Sequence, residues 1–236
     1  MNETKLTFKR YEKKYLLTPD EYARIRARLD AYIEPDEFFS STVCSVYYDT
    51  EDFEFIRRSI DAPVYKEKLR LRSYNVPSAE DGVFLELKRK FKGLVYKRRV
   101  MLPEEDARRY LAGELSSPVG GQIMRELDWF LANNDVRPRV FIACDREAYR
   151  ARDDAELRIT FDKSIRWRQA ELELTAGSHG EELLPPGYVL MEIKMPDAAP
   201  MWLARMLSED GLFPRGFSKY GETYKNKIAD GVIFSV

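Results

Sequence analysis

Short runs of alternating apolar and polar residues are the most frequent pattern along the chain. Side chains of a β-strand point to opposite faces in turn, so this alternation is typical of strands with one buried face. Gly, Pro, Asp or Asn bound most of the runs. The pattern predicts strands at residues 6–17, 42–49, 64–74, 82–91, 94–102, 138–149, 156–167, 170–175 and 187–195. Between two of them, Gly93 is predicted to lie in the turn of a hairpin.

Apolar residues at helical spacing mark several of the stretches between these strands. In the first such stretch, Thr18 is a candidate N-cap and Pro19 stands at the first helical position. We predict helices at residues 18–32, 51–60, 103–112, 119–133 and 199–209. The sequence has neither an internal repeat nor a long linker. Antiparallel strands interrupted by helices therefore predict a single α+β domain over residues 1–236, with its sheet closed as a barrel or folded as a sandwich.

The polar faces of the predicted strands carry mostly basic residues. In “KEKLRLRSY”, Lys66, Lys68, Arg70 and Arg72 share one face, and leucines lie on the other. Over the chain, such faces hold the basic residues Arg10, Lys14, Lys68, Arg70, Arg72, Lys88, Lys97, Arg99, Arg158 and Lys194 against the acidic residues Glu12, Glu86 and Glu192. The whole sequence has 39 Lys and Arg and 40 Asp and Glu, a net charge of -1. Position along the strands, and not composition, therefore concentrates the positive charge.

This concentration of positive charge limits what the faces can be. Solvent-facing strands would carry basic and acidic residues in similar numbers, whereas these faces hold ten basic residues against three acidic ones. Two interpretations remain: a basic outer surface for a polyanion, or the lining of a barrel whose apolar residues point outward into covering helices. The helices need an apolar surface to pack on, which favours the second interpretation. Unpaired like charges in a dry core would cost several kcal/mol per ion, so the interior must be wet and hold an anion such as phosphate.

The three acidic residues on these faces have two interpretations. They either neutralise neighbouring cations, or Glu192 with Glu12 or Glu86 binds Mg²⁺ or Mn²⁺, ions that share their coordination shell with substrate phosphates. The sequence contains none of the common glycine-rich phosphate-binding motifs, and it lacks the usual zinc-protease and serine-hydrolase motifs. Any chemistry is therefore not that of the common nucleotide-binding folds.

Other features narrow the class of protein. Cys44 and Cys144 lie in strand-like apolar runs and are expected to be reduced core thiols, and His179 has no Cys or His partner for a metal. Because we find no signal peptide and no apolar run of about 20 residues, we expect a cytoplasmic protein. Aromatic residues are not interleaved with the basic positions as in single-strand nucleic-acid binders, which argues against a nucleic-acid partner.

Nine segments occur in an order that resembles a known family. They are “FKRYEKKYLLT”, “SVYYDT”, “KLRLRSY”, “FLELKRK”, “VYKRRV”, “DREAYR”, “LRITFD”, “VLMEIKMP” and “FSKYGETY”. In this order they resemble the polyphosphate polymerase (VTC) domain, a branch of the CYTH-like triphosphate tunnel metalloenzymes. The resemblance implies an eight-stranded antiparallel tunnel β-barrel with flanking helices, which agrees with inward-facing charges.

The resemblance also implies roles for residues at matching positions. It implies that phosphate or nucleotide is bound, and the reaction catalysed, by Lys14, Arg70, Arg72, Lys88, Lys97, Arg99, Arg146, Arg158, Lys194, Ser218 and Lys219. It implies metal binding by Glu192, with Glu12 and Glu86 as further candidates. Many tunnel hydrolases begin with E-x-E-x-K, whereas Arg10 replaces the first glutamate here. One carboxylate fewer weakens a second metal site and, with it, the hydrolase interpretation.

Three functional hypotheses follow from these features. The first is an ATP-dependent polyphosphate polymerase that transfers the γ-phosphoryl group to a growing chain with Mn²⁺ or Mg²⁺. The second is a metal-dependent inorganic tripolyphosphatase, with water as the acceptor. The third is a module that binds polyphosphate or nucleotide without chemistry. The expected ligands are ATP, inorganic triphosphate or polyphosphate, and we expect no nucleic-acid partner. We expect no transmembrane segment. Binding to a membrane-associated partner is left open as an alternative, because the eukaryotic VTC domains belong to membrane-bound assemblies.

Overall fold

The structure is a computed structural model that describes residues 11–61, 64–92 and 94–229. The strands in these ranges are β1 (Tyr11–Leu17), β2 (Ile33–Asp49), β3 (Tyr65–Tyr74), β4 (Gly82–Phe91), β5 (Leu94–Pro103), β6 (Arg137–Ala151), β7 (Arg158–Arg168), β8 (Glu181–Glu182) and β9 (Val189–Met195). The helices are α1 (Pro19–Leu29), α2 (Glu54–Asp61), α3 (Glu104–Leu111), α4 (Gln122–Ala132), α5 (Met201–Glu209) and α6 (Lys219–Thr223). A π-helical turn at Tyr224–Ile228 follows α6.

Comparison with the sequence pattern confirms the predicted helices and all but one of the predicted strands. The predicted strand at 170–175 is wrong, because Leu174–Ala176 forms a 3₁₀ turn. The second strand begins earlier than predicted, at Ile33, and β8 and α6 were not predicted. The predicted beginning of the first strand, Arg10 and Gly93 lie outside the described residues.

The strands form a sheet in the order β1-β9-β7-β6-β2-β3-β4-β5, and β8 pairs with β7. The pairs β1–β9, β7–β9, β2–β3, β3–β4 and β4–β5 are antiparallel. The chain divides into two compact units. Unit 1 comprises Met1–Ser41, Cys144–Ile165 and Leu184–Phe217, and unit 2 comprises Thr42–Ala143, Arg166–Leu183 and Ser218–Val236. The single domain over residues 1–236 stays a prediction.

Unit 2 is built on the meander β3–β4–β5, with α3 and α4 packed on one of its faces. The meander buries Leu69, Leu71, Leu85 and Leu87 in that face. The helices contribute Ala107, Tyr110, Leu127 and Phe130 to the same cluster. Because side chains alternate along a strand, most charged residues of β3, β4 and β5 point to the opposite face. We call this opposite face the charged face of unit 2. Glu67, Arg89 and Arg98 are the exceptions: they lie on the helix side, where both arginines contact Glu126 of α4.

Unit 1 has its own core, in which α1 and α5 join the apolar residues of β7 and β9. This cluster includes Ile25, Leu203, Phe161, Met191 and Ile193. At the start of α1, Thr18 Oγ1 accepts a hydrogen bond from the Glu21 amide, and the Glu21 carboxylate accepts one from the Thr18 amide, so the predicted N-cap is confirmed. Among the described residues, no helix combines the length and the apolar composition that crossing a bilayer requires.

Candidate functional site

Basic residues on neighbouring strands stand directly opposite one another on the charged face of unit 2. Lys68 pairs with Lys88, and Lys88 pairs with Lys97, so that three lysines form one row across the meander. We call these three residues the lysine row. Like charges placed directly opposite in a sheet destabilise it. The lysine row is therefore an arrangement that an anion would stabilise.

The next row across the same face contains a buried carboxylate. Arg70, Glu86 and Arg99 are direct neighbours in register. Glu86 is only 1% exposed; its Oε2 accepts a hydrogen bond from Arg70 Nε at 2.7 Å, and its Oε1 lies 2.6 Å from Lys97 Nζ. Burial raises the pKa of Glu86, but Arg70, Arg72 and Lys97 outweigh this effect and lower the pKa to about 2. Glu86 is therefore a carboxylate that neutralises part of the positive charge of this face.

A tyrosine lies at the edge of this row, on β2. Tyr47 is the register partner of Arg70, and Arg70 Nη1 donates a hydrogen bond to Tyr47 Oη at 3.3 Å. Burial raises the pKa of Tyr47, but the cations Arg70, Arg72 and Lys68 outweigh burial and lower the pKa to about 8. The Tyr47 ring also stacks on Tyr220 of α6, with the ring centroids 4.7 Å apart.

The segment that begins α6 contacts the same charged face. Lys68 Nζ donates a hydrogen bond to Ser218 Oγ at 2.7 Å, and the same oxygen accepts one from the Gly221 amide as the N-cap of α6. Lys219 is the first residue of this helix. Nearby on the face, Arg72 Nε donates to Ser45 Oγ at 3.2 Å. Unit 2 contains seven of the predicted phosphate ligands. Register and hydrogen bonds place six of them on or against the charged face, Arg70, Arg72, Lys88, Lys97, Arg99 and Ser218, and the seventh, Lys219, begins α6.

Unit 1 contains the other predicted site residues, and here acidic groups accompany the basic ones. Lys14 is the register partner of Glu192, and Glu12 is the register partner of Lys194. Lys14 Nζ lies 3.1 Å from Glu12 Oε1 and 3.5 Å from Glu192 Oε2, and it donates a hydrogen bond to the Phe217 carbonyl at 3.2 Å. Lys194 Nζ lies 2.6 Å from Glu192 Oε1.

Glu192 is ionised in this environment. Its burial raises its pKa, but Lys194, Lys14 and Arg146 outweigh burial and hold the pKa of Glu192 well below its usual range. It is 7% exposed, so it is a carboxylate largely shielded from water.

The two predicted arginine ligands of unit 1 each have an acidic partner that the sequence pattern did not reveal. Arg146 donates two hydrogen bonds to Asp162, at 2.6 and 2.8 Å, and Asp162 is fully buried. Burial lowers the pKa of Arg146, but the Asp162 carboxylate outweighs burial, so the pKa is raised. Arg158 pairs with Asp36. A carboxylate therefore orients each of the two guanidinium groups.

Two of the three predicted metal ligands contact the same ammonium group. Glu12 and Glu192 both approach the Lys14 ammonium, so their carboxylates are within reach of a common positive charge. Carboxylate oxygens are the donors that Mg²⁺ and Mn²⁺ prefer, and substrate phosphates commonly complete the shell. The described residues contain no group of three or more acidic, His or Cys ligands. Two carboxylates are an incomplete donor set, so a divalent ion here would need phosphate oxygens to complete its coordination shell.

Glu86 belongs to unit 2, and its two oxygens already face Arg70 and Lys97. Its assignment as a metal ligand stays a prediction, and the geometry favours Glu12 and Glu192 over it.

Thr160 is a residue of this site that the sequence pattern singled out for no role. It is the register partner of Glu192 on β7, and it is 6% exposed. Among the described residues its hydroxyl has no hydrogen-bond partner. Its position two residues after Arg158 places it on the same face, and this alternation is the signal that could have identified it.

Comparisons with known proteins agree with these observations. The VTC domain model matches residues 9–227. A candidate adenylate cyclase from Bacillus halodurans has a similar structure, with a TM-score of 0.56 and 16% identity over 95% of this chain and 96% of that one. A candidate adenylyl cyclase from Hippeastrum with a dominant triphosphatase activity has a TM-score of 0.50 and 14% identity over 95% of this chain and 97% of that one. No curated protein sequence matches significantly.

The antiparallel sheet, the helices packed on it and the likeness to these structures confirm the predicted fold class, an α+β fold of the triphosphate tunnel type. The match over residues 9–227 covers most of the chain. The chain therefore belongs to the VTC domain family.

Proposed function

We propose that the protein is a polyphosphate polymerase that binds ATP through its triphosphate and transfers the γ-phosphoryl group to the end of a polyphosphate chain. The lysine row is the observation that carries this proposal. Lys68, Lys88 and Lys97 stand opposite one another, next to the row that contains Arg70 and Arg99. A bound chain of phosphates would offset the positive charge of both rows.

The basic residues would bind and orient the phosphates. The proposed ligands in unit 2 are Arg70, Arg72, Lys88, Lys97, Arg99, Ser218 and Lys219, and those in unit 1 are Lys14, Arg146, Arg158 and Lys194. In phosphoryl transfer the transition-state charge is spread over phosphate oxygens, so positioned cations stabilise it directly. Arg146 is suited to this role because Asp162 fixes the direction of its guanidinium.

The reaction breaks the bond between the γ-phosphorus and the bridging oxygen of ADP and forms a bond from that phosphorus to an acceptor phosphate oxygen. ADP leaves with the electron pair of the broken bond. A terminal phosphate of the acceptor is already ionised, so no side chain has to remove a proton from it. A divalent ion held by Glu12 and Glu192 would neutralise charge on the transferred group.

A second candidate function is that of a metal-dependent tripolyphosphatase. The similar structure from Hippeastrum, whose dominant activity is that of a triphosphatase, favours this alternative. With water as the acceptor, the reaction would need a group that accepts a proton. Tyr47 on the charged face of unit 2 could accept that proton only in its ionised form, which a pKa of about 8 makes the minor form at neutral pH.

One experiment separates the candidate functions. The purified protein is incubated with ATP and Mn²⁺, or with tripolyphosphate and Mn²⁺, and the products are analysed on a gel and by phosphate release. Long chains from ATP support the polymerase, and free phosphate from tripolyphosphate without chains supports the hydrolase. Tight binding without turnover would contradict both and leave a binding module. Lys88→Gln should reduce the activity by about 10²- to 10³-fold. Lys13→Gln, on the opposite face of β1 from Lys14, should leave the activity unchanged.

A further inference from the structure

Three lysines extend the charged face of unit 2 beyond the proposed phosphate ligands. Lys66 on β3 and Lys90 on β4 are direct partners in register. Both follow the alternation of the lysine row, so they lie on the same face. Lys225, in the π-helical turn after α6, is close enough to affect the ionisation of Lys66. We call Lys66, Lys90 and Lys225 the lysine extension.

The lysine extension differs from Arg70, Lys97 and Arg99, which all have Glu86 as an acidic partner. Arg70 and Lys97 contact Glu86, but no carboxylate of the described residues lies within ion-pair distance of Lys66, Lys90 or Lys225. Burial lowers the pKa of Lys66, and the neighbouring charges of Lys90 and Lys225 lower it further. Opposed like charges weaken a sheet, so an added anion would stabilise this end of the meander.

The length of the face matters for the identity of that anion. From Arg72 to Lys66 the strand β3 advances by six residue steps, or about 20 Å at the usual rise per residue. Arg70, Arg72 and the lysine row occupy the part of this length that a triphosphate would fill. A ligand that also reaches the lysine extension must be a longer chain of anionic groups.

The surroundings favour an inorganic polymer over a nucleic acid. Tyr65 and Phe91 are next to the lysine extension in sequence, but both alternate to the opposite face of the meander. Tyr47 and Tyr220, which do contact the charged face, are buried and stacked on each other. The exposed ring of Tyr74 lies on the charged face, but at the other end of β3. Single-stranded nucleic acid stacks its bases on exposed rings among the basic groups, and the described residues offer no such ring beside the lysine extension on this face.

We propose that the lysine extension is a second anion subsite, which binds the distal phosphates of a polyphosphate chain and makes the protein prefer long chains to tripolyphosphate. This proposal rests on the proposed function, since it assumes that the chain's other phosphates occupy the charged face. It adds a determinant of chain-length preference that is separate from the phosphate ligands named above.

The test is to measure Kd by calorimetry for tripolyphosphate and for a long-chain inorganic polyphosphate, with the wild type and with Lys66→Gln/Lys90→Gln. We expect the double substitution to reduce the preference for the long chain by about tenfold, as loss of two solvent-accessible ionic contacts implies. The dependence of log Kd on log salt for the long chain should also fall by about 0.7 for each lysine, by analogy with single-stranded polyanions.

Matched controls make the outcome specific. Lys13→Gln/Arg24→Gln removes the same charge from exposed positions of unit 1 and should keep the wild-type preference. Lys225→Gln, which leaves the sheet untouched, should shift the preference in the same direction as the double substitution. An unchanged ratio of the two Kd values in both lysine variants would overturn the proposal, as would an oligonucleotide that competes as well as polyphosphate.

The two proposals fail in different ways. If the wild type binds neither ATP nor tripolyphosphate but still binds long chains through the lysine extension, the proposed function is wrong and the subsite stands. If the wild type makes polyphosphate from ATP but Lys66→Gln/Lys90→Gln binds both ligands in the wild-type ratio, the subsite is wrong and the proposed function stands.

Discussion

Ser218 Oγ accepts a hydrogen bond from Lys68 Nζ, although the two residues are 150 positions apart in the chain. The same oxygen is the N-cap of α6, through the Gly221 amide. One hydroxyl group therefore links the beginning of a helix to the lysine row, and the position of Lys219 depends on that helix.

The first prediction concerns this hydroxyl. Ser218→Ala should lower the free energy of unfolding by about 1 kcal/mol, as expected for loss of an N-cap, and should also reduce turnover. Ser218→Thr, which keeps a hydroxyl, should recover most of both. Chemical denaturation and an activity assay check this prediction. A stability loss with full activity in Ser218→Ala would mean that the contact is only structural.

The second prediction concerns the centre of the lysine row. Lys88→Gln should reduce turnover by about 10²- to 10³-fold, the range for removing one group that stabilises transition-state charge. Stability should stay the same or rise, because Lys88 is opposed by lysines on both sides. Lys13→Gln serves as the control in the same assay. Near-normal turnover in Lys88→Gln would contradict a role in phosphate binding.

The third prediction concerns the pH dependence of stability. Glu86 has a pKa of about 2 in the folded protein against a usual value of 4.5, so its charged form stabilises the fold above pH 4.5. This contribution, about 3 kcal/mol in order of magnitude, should disappear as the pH falls from 4.5 to 2. Urea denaturation of the wild type and of Glu86→Gln should give a stability difference that shrinks over this range. If the stability difference between the wild type and Glu86→Gln did not change with pH, ionised Glu86 would be excluded as the cause of the pH dependence.

The fourth prediction concerns the divalent ion. Glu192→Gln should weaken Mn²⁺ binding, measured by the electron paramagnetic resonance signal of free Mn²⁺ in the presence of tripolyphosphate, by about tenfold or more. Glu181→Gln, at an exposed position of β8, should leave the titration unchanged. Identical Mn²⁺ titrations for the wild type and Glu192→Gln would exclude Glu192 as a ligand.

The fifth prediction concerns Thr160. If its buried hydroxyl contacts bound phosphate or the ion next to Glu192, Thr160→Val should weaken tripolyphosphate binding by about 1 kcal/mol or more while the unbound protein stays as stable as the wild type. Thr160→Ser, which keeps the hydroxyl, should bind normally. If Thr160→Val bound tripolyphosphate as tightly as the wild type, a role of the Thr160 hydroxyl in binding would be excluded.

Alternation along the strands was enough to predict which face carries charge, because side-chain direction in a strand is fixed by the backbone. The leucines of β3 and β4 pack against helices, as the pattern required, and Arg70 and Lys88 lie opposite them. Partners from distant segments could not be predicted in this way. In unit 1 the fold brings Asp162 to Arg146, and in unit 2 it brings Tyr220 to Tyr47; nothing local in the sequence indicates either pair.

The error at 170–175 has a specific physical cause. Leu172 and Leu174 alternate with glutamates, which is typical of a strand. In the structure the Arg168 guanidinium donates hydrogen bonds to the carbonyls of Glu171, Glu173, Gly177 and His179. These carbonyls bond to a side chain and not to a neighbouring strand, so the segment turns. A sequence pattern of apolar and polar positions contains no information about such a competitor for backbone hydrogen bonds.

The stacking of Tyr220 on Tyr47 has a consequence for the order of events during synthesis. The hairpins of the meander join residues that are close in the chain, so they can form early. The Tyr47–Tyr220 ring pair joins distant segments of the chain, as does the neighbouring hydrogen bond between Lys68 and Ser218, which are 150 positions apart. A nascent chain will thus display its lysines before the hydroxyl and the aromatic ring that complete their setting have left the ribosome. The charged face of unit 2 is therefore complete only after Ser218 and Tyr220 have been synthesised.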